Sequence, residues 1–165
     1  MRLFLDTEFN GFGGELISMA LVSEDGREWY QIRQLDDEDG LDPWVIEHFI
    51  PKLGDKASLS NVEFSLSLQA FLSEFDGCEI MADWPADFEH LCAWMNKMGR
   101  SGGWLIPIEC TMRLIRGDDT IYPVNPHNAL SDARALRDWW IRRIAQRSIE
   151  ERLSDTAVPH GKELA

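Results

Sequence analysis

Apolar and polar side chains alternate at the start of the chain, which is the period-two pattern of a β-strand. The alternation in residues 2–9 produces two faces, which hold Leu3, Leu5 and Thr7 on one side and Phe4, Asp6 and Glu8 on the other. The apolar run 16–22 predicts a second strand, and residues 24–26 predict a tight turn into a third strand at 29–32. Three sequential antiparallel strands are therefore expected to open the domain.

After these strands the pattern changes to helices that alternate with short strands. The predicted elements are, in order, helices at 43–53 and 62–75, a strand at 79–82, a helix at 85–98 and a strand at 104–108. Asn125 followed by Pro126 is typical of a helix N-cap and first helical residue, so a long last helix is expected to begin there. It would continue through Ala129, Ala133, Leu136, Trp140 and Ile144.

An antiparallel meander followed by alternating helices and strands predicts an α/β fold, with one mixed sheet flanked by helices. The 165 residues correspond to about one domain, and their 44% hydrophobic content is sufficient for a core. We expect this domain to span residues 1–153 and residues 154–165 to form a flexible C-terminal tail. No internal repeat or interdomain linker is visible.

Composition and charge restrict the location and the partners of the protein. No apolar run reaches the roughly 20 residues that span a bilayer, and Asp6 interrupts the N-terminal segment before a signal sequence could develop. We therefore expect a cytoplasmic protein that does not enter a membrane. Its formal net charge of -13 repels a nucleic-acid backbone. This acidic excess either promotes solubility or gathers carboxylates around cations, and composition alone favours solubility.

The first strand carries a candidate cation site. Asp6 and Glu8 leave the same face, with Cα atoms about 6.5 Å apart along the chain. Two like charges at that distance raise each other's pKa, and a hard divalent cation is the usual partner of clustered oxygen ligands. A solvated sheet face is the alternative for an isolated pair of acids, but the apolar neighbours Phe4, Leu5 and Phe9 are expected in a core.

A second group of acids lies where the strand at 79–82 is followed by the helix at 85–98. Asp83 and Asp87 should project over the carboxyl end of that strand, where ligand sites of α/β sheets commonly lie. Asp83 has a structural alternative, because it could cap the helix ahead of Pro85. Asp87 is a poorer cap because it lies inside the first turns, although acids are favoured near helix N-termini in general.

The third group consists of His127 and Asp132 at the start of the last predicted helix. Five residues correspond to a rotation of about 140° on an ideal helix, so the two side chains do not share a face. They can still border one site if Asp132 points inward and His127 overhangs it, a suitable place for a base that activates water. A lone histidine beside a lone aspartate is more often structural, so this segment does not decide the function by itself.

Taken together, the three groups resemble the DEDDh 3′-to-5′ exonucleases of the ribonuclease H-like superfamily. The resemblance is carried by the sequences FLDTEF at residues 4–9, DWPADF at 83–88 and HNALSDA at 127–133. It extends from residue 1 to about residue 140 and is strongest to small stand-alone exoribonucleases of bacteria and phages. It implies a ribonuclease H-like mixed sheet. One departure is Asp83, because the family often has Asn at this position.

The resemblance also implies a two-metal mechanism, in which four carboxylates hold two Mg²⁺ or Mn²⁺ ions around the scissile phosphate. By this resemblance Asp6 bridges both ions, Glu8 and Asp132 complete the first site, and Asp87 supports the second. His127 would take the proton from the nucleophilic water. The implied reaction is hydrolysis of single-stranded RNA or DNA from the 3′ end to nucleoside 5′-monophosphates.

Aromatic residues beside the motifs are candidates for binding the substrate. Phe9, Phe12 and Trp84 could stack on bases at the 3′ end, although ordinary packing explains each of them at least as well. The resemblance and the prevalence of two-fold oligomers also suggest a homodimer. One alternative function is a module on the same fold that binds nucleic-acid 3′ ends without turnover. Another is a structural domain stabilised by calcium or by charge, which would leave His127 without a role.

Overall fold

The computed structural model describes residues 1–35, 40–100, 108–115 and 121–156. Its centre is a five-stranded mixed sheet with the strand order β3-β2-β1-β4-β5. The strands are β1 (Arg2–Phe9), β2 (Leu16–Ser23), β3 (Glu28–Ile32), β4 (Cys78–Ala82) and β5 (Cys110–Leu114). The pairs β1–β2 and β2–β3 are antiparallel, whereas β4 is parallel to β1 and β5 is parallel to β4. The predicted α/β fold with an antiparallel opening is therefore confirmed.

The two faces of β1 pack into different parts of the core. Leu3 and Leu5 belong to a cluster that includes Phe64, Leu68 and other side chains of the helices on that side. Phe4 lies on the opposite face and joins a second cluster with residues of the last helix. Because burial of apolar surface is the main driving force of folding, this double coverage fixes β1 firmly in the middle of the sheet.

The first helix is shorter than predicted. Helix α1 spans Pro43–His48, and a separate 3₁₀ turn spans Ile50–Lys52. The sequence pattern predicts one continuous helix over residues 43–53, which is wrong at Pro51. Proline has no N–H for the carbonyl four residues earlier, and its ring clashes with that turn, so the α-helix ends ahead of it.

The next elements agree with the predictions to within a few residues. Helix α2 spans Asn61–Leu72 and begins with a capping box, in which the side chains of Ser60 and Glu63 bond to each other's backbone N–H. Strand β4 and helix α3 (Pro85–Arg100) follow. Most of the predicted strand at 104–108 lies outside the described residues.

Strand β5 lies at the edge of the sheet, where it pairs only with β4 among the described strands. The sequence did not predict it, because four of its five residues are exposed and its pattern lacks the buried alternation of an inner strand. Strands β4 and β5 both run in the direction of β1. The carboxyl ends of β1, β4 and β5 therefore lie at the same end of the sheet.

Helix α4 spans Ala129–Thr156 and packs across β1 and β2. The prediction that this helix begins at Pro126 is wrong, because the chain turns sharply before Asn128. The Asn128 side chain accepts a hydrogen bond from the Ser131 N–H at 3.1 Å, which is the capping contact that starts the helix. Most of the predicted tail at 154–165 lies outside the described residues. Within the described ranges, no helix is long and apolar enough to cross a bilayer.

Candidate metal centre

The site forms where β1 extends past its parallel neighbour. β4 pairs with β1 only as far as Phe4, whereas β2 accompanies β1 up to Phe9. Asp6 and Glu8 therefore lie beside a gap in the sheet, next to the point where β4 ends and α3 begins. Helix α4 crosses the same region and brings Asp132 toward it. Three distant segments of the chain meet at this gap.

The structure brings the predicted carboxylates together in two overlapping groups. Asp6, Asp83 and Asp87 form one group, and Asp6, Glu8 and Asp132 form the other. Within each group the carboxylate oxygens lie within 4.8 Å of one another. Asp6 is common to both groups. This cluster could bind metal ions, since hard divalent cations take oxygen ligands at such spacings.

Two buried oxygen atoms of the cluster support this interpretation. Oδ2 of Asp87 and Oδ1 of Asp132 are buried, and no described residue donates a hydrogen bond to them. A buried carboxylate oxygen without a partner is costly in a folded protein. A cation held at the centre of the cluster would satisfy both atoms, and an all-carboxylate donor set suits Mg²⁺ or Mn²⁺.

Burial raises the pKa of every carboxyl group in the cluster, and repulsion from neighbouring carboxylates adds to it at Asp6, Glu8, Asp87 and Asp132. Burial is the largest cause at Asp6, whose pKa lies well above its ordinary value, and the neighbouring carboxylates add to it. For the same reasons the pKa of Glu8 rises to about 8. Burial also raises the pKa of Asp87 to about 7 and that of Asp132 to about 6. The fold thus concentrates negative charge that a bound cation would neutralise.

Thr7 holds Asp87 in place from the other side of the strand. Its backbone N–H and its Oγ1 hydroxyl both donate to Oδ1 of Asp87, at 3.1 and 2.7 Å. These bonds occupy Oδ1, and the other oxygen, Oδ2, is the buried atom that has no donor among the described residues. Sequence reasoning placed Thr7 on its strand face but missed this contact. The available signal was the Thr7 hydroxyl between two acids in the DTE sequence at residues 6–8, but this signal does not identify a partner on α3.

Asp83 does not occupy the N-cap position of α3, which it would need in order to cap that helix. Because α3 begins at Pro85, the N-cap position belongs to Trp84, and Asp83 precedes it. The Asp83 carboxylate lies in the cluster with Asp6 and Asp87, and burial raises its pKa. Its placement therefore favours a ligand over a capping residue.

His127 lies in the turn before α4 and borders the same cavity. Its backbone N–H donates to Oδ2 of Asp132 at 3.0 Å. Its imidazole packs against the rings of Trp44 and Phe49, with centroid distances of 5.4 and 5.2 Å. Burial is the main cause that lowers the pKa of His127, and the positive charge of Lys52 adds to it. The side chain is therefore neutral at a lower pH than an ordinary histidine.

A cavity of about 600 Å³ opens over the carboxylates and is walled by aromatic side chains. The three predicted stacking residues line it: Phe9, Phe12 and Trp84. Phe12 is 90% exposed and Trp84 is 52% exposed, so their ring faces are accessible. Phe9 differs because its ring packs on His90 at 4.6 Å.

Helix α1 and the residue that follows it supply a wall of the cavity that sequence reasoning missed. Trp44, Val45 and Phe49 line the cavity, and Trp44 also stacks on His48 at 4.6 Å. The pattern of this segment predicted a packed helix and gave no indication that it faces the acids. The pairing of an aromatic residue at each end of a short helix was the only signal present.

Comparisons with known proteins relate the chain to exoribonucleases. No protein-family model matches it. A 3′-5′ exoribonuclease of Mycobacterium tuberculosis strain CDC 1551 is 39% identical over 107 residues, and one of strain H37Rv gives the same values. The match covers 59% of this chain and 63% of the length of each relative. The chain thus spans somewhat less than two thirds of these curated relatives, and the similarity supports a relation to an exonuclease family.

Proposed function

We propose that the protein is a metal-dependent 3′-to-5′ exonuclease of the DEDDh type, on a ribonuclease H-like fold. Its substrate would be single-stranded RNA, with DNA as a second substrate, and its products nucleoside 5′-monophosphates. The observation that carries this proposal is the pair of carboxylate groups sharing Asp6 beneath an aromatic cavity. Both mycobacterial relatives are 3′-5′ exoribonucleases, which favours RNA as the substrate.

The carboxylates divide naturally between two cation positions. Asp6 would contribute to both, Glu8 and Asp132 to one, and Asp87 with Asp83 to the other. Two Mg²⁺ or Mn²⁺ ions, when bound, would stabilise the charge that develops on the attacking and leaving oxygens of the phosphodiester. The positive charge of the two ions would also overcome the repulsion between the acidic cluster and the phosphate.

His127 is the proposed general base. Its imidazole borders the cavity beside Asp132 and is neutral over a wide pH range, so it can accept the proton of the attacking water. The aromatic contacts with Trp44 and Phe49 limit the orientations of the ring. A base must come within hydrogen-bond reach of its proton, and a ring restricted in this way would lose little entropy on taking up that position.

The aromatic wall would bind the last nucleotides of the strand. Phe12 and Trp84 offer exposed ring faces in the cavity that the carboxylates also line. Stacking on such rings contributes about 1–3 kcal/mol per base and is largely indifferent to sequence. This suits an enzyme that must accept each base in turn.

We also expect a homodimer, which light scattering would test.

The experiment uses an RNA and a DNA oligonucleotide of the same sequence, each labelled at either the 5′ or the 3′ end. With Mn²⁺ or Mg²⁺, the 3′ label should appear at once in a mononucleotide, while the 5′-labelled strand shortens stepwise. Chelator or the Asp6→Asn variant should abolish both signals. Binding without release of mononucleotides would contradict the proposal and favour a 3′-end binding module.

A further inference from the structure

The segment formed by α1 and the following 3₁₀ turn, residues 43–52, is joined directly to the turn that carries His127. The Lys52 ammonium donates to the carbonyl oxygen of Pro126 at 2.7 Å. In the opposite direction, the Asn128 side chain donates to the carbonyl oxygen of Lys52 at 2.8 Å. Lys52 therefore contacts the residues on both sides of His127, although it is 75 positions away in the sequence.

The peptide group between Pro126 and His127 is held at both of its polar atoms. Its oxygen accepts the bond from Lys52, and its N–H donates to Oδ2 of Asp132 at 3.0 Å. A planar peptide has one orientation once both atoms are bonded. This peptide therefore links the Lys52 ammonium to a carboxylate of the candidate metal centre.

The backbone of His127 needs such a restraint. Its φ angle is 64°, in the left-handed region that residues with a Cβ rarely adopt. A conformation of this kind persists only where the surrounding structure holds it, and it tends to occur at functional sites. Loss of the bond from Lys52 would allow the turn to relax toward an ordinary backbone geometry. The imidazole would then leave its place against Trp44 and Phe49.

We propose that Lys52 is a positioning residue, which holds the Pro126–His127 peptide so that the imidazole stands over the cavity and Asp132 faces the other acids. This inference rests on the proposed function, because it assumes that His127 takes part in the reaction. Lys52 itself contacts neither the reacting atoms nor the carboxylate oxygens through this bond. Its ammonium holds the peptide through a backbone carbonyl, and its positive charge also lowers the pKa of His127.

The activity test compares three variants with the parent protein on the labelled RNA. Lys52→Met retains the apolar stem and removes the donor, while the backbone carbonyl that binds Asn128 is kept. We expect kcat to fall about 10- to 100-fold, since small displacements of catalytic groups have effects of that size, and KM to change little. Lys52→Arg should recover a substantial part of kcat because a guanidinium also donates to a carbonyl.

The matched control is Lys56→Met, which removes the same charge from an exposed lysine lying over the Tyr30 ring at 5.7 Å. It should retain parental kcat. A Lys52→Met variant as active as this control would overturn the inference. So would a Lys52→Arg variant no better than Lys52→Met, because the loss would then not follow the hydrogen-bond donor.

A second readout does not depend on activity. In the metal-free protein at a fixed alkaline pH, the imidazole proton resonance of His127 is identified by its absence from His127→Ala. Because the ring packs on Trp44 and Phe49, this resonance should be displaced from that of a free imidazole, and Lys52→Met should move it toward the free position. An unmoved resonance overturns the inference. A parent without hydrolysis refutes the proposed function instead, and the resonance alone then decides whether Lys52 positions His127.

Discussion

Replacement of Glu8 by glutamine should stabilise the metal-free protein at neutral pH. Glu8 is only 5% exposed, and burial together with Asp132 and Asp87 raises its pKa from 4.5 to about 8. The folded state therefore holds a proton between these two pH values that the unfolded state has lost. The contribution of Glu8 to the free energy of unfolding is therefore fully present below about pH 4.5, and it is lost as the pH rises toward 8.

The size of the effect follows from the same shift. At pH 7 the pH lies about 2.5 units above the ordinary pKa of a glutamate, which corresponds to about 3 kcal/mol at 1.36 kcal/mol per unit. At pH 5 the same calculation gives less than about 1 kcal/mol. Gln is close to Glu in shape and carries no charge. Glu8→Gln should therefore recover most of the unfolding free energy that the parent loses at pH 7, and little at pH 5.

The measurement is urea unfolding in the presence of chelator at several pH values between 5 and 8. Glu150→Gln, at an exposed position of α4, is the control for the loss of one negative charge. Added Mn²⁺ should stabilise the parent more than Glu8→Gln, because only the native site with its carboxylate binds the ion strongly. The reasoning is refuted if Glu8→Gln changes stability equally at pH 5 and pH 8, or if the parent shows no dependence on pH.

Three further variants test separate parts of the site. His127→Ala should lower kcat by about 10²- to 10⁴-fold, the usual range for a general base, while calorimetry shows Mn²⁺ binding unchanged. Phe12→Ala should raise KM about 5- to 100-fold with kcat retained, since one stacked base contributes about 1–3 kcal/mol, and Tyr122→Ala is the exposed control outside the cavity. Thr7→Val should cost about 1–2 kcal/mol of stability and weaken Mn²⁺ binding, because Asp87 loses the hydroxyl donor; unchanged binding would show that Thr7 does not orient Asp87.

The mixed α/β class and the antiparallel opening of the sheet could be predicted from the sequence because period-two patterns and tight turns are local. The order of the strands within the sheet was not predicted, since it depends on contacts between distant segments. Helix boundaries were less predictable, since they depend on competition between neighbouring signals. Pro126 is a typical first helical residue, yet the chain caps α4 with Asn128, whose side chain reaches the Ser131 N–H. Strand β5 was missed because an exposed edge strand needs no apolar pattern of its own.

The carboxylates of the site are accessible to sequence reasoning because acids are unexpected beside buried apolar residues, and Asp6 and Glu8 stand out on a core strand. The residues that orient them are not accessible in this way. Thr7, Lys52 and Trp44 have ordinary side chains for a strand, a turn and a helix. Their roles arise only from contacts with segments 74 to 83 positions away.

The acids can be recognised from the sequence and the residues that orient them cannot, and this difference has a physical cause. The acidic cluster opposes folding, because burial raises the pKa of Asp6, Glu8 and Asp87 and leaves a buried oxygen without a donor. Such a cluster persists only if the surrounding fold holds it rigidly. β1 meets this need because both of its faces are covered, and Thr7 adds two hydrogen bonds to Asp87 from within the same strand. The part of the fold that is most predictable from the sequence, the central strand, is thus also the part that holds the acids together.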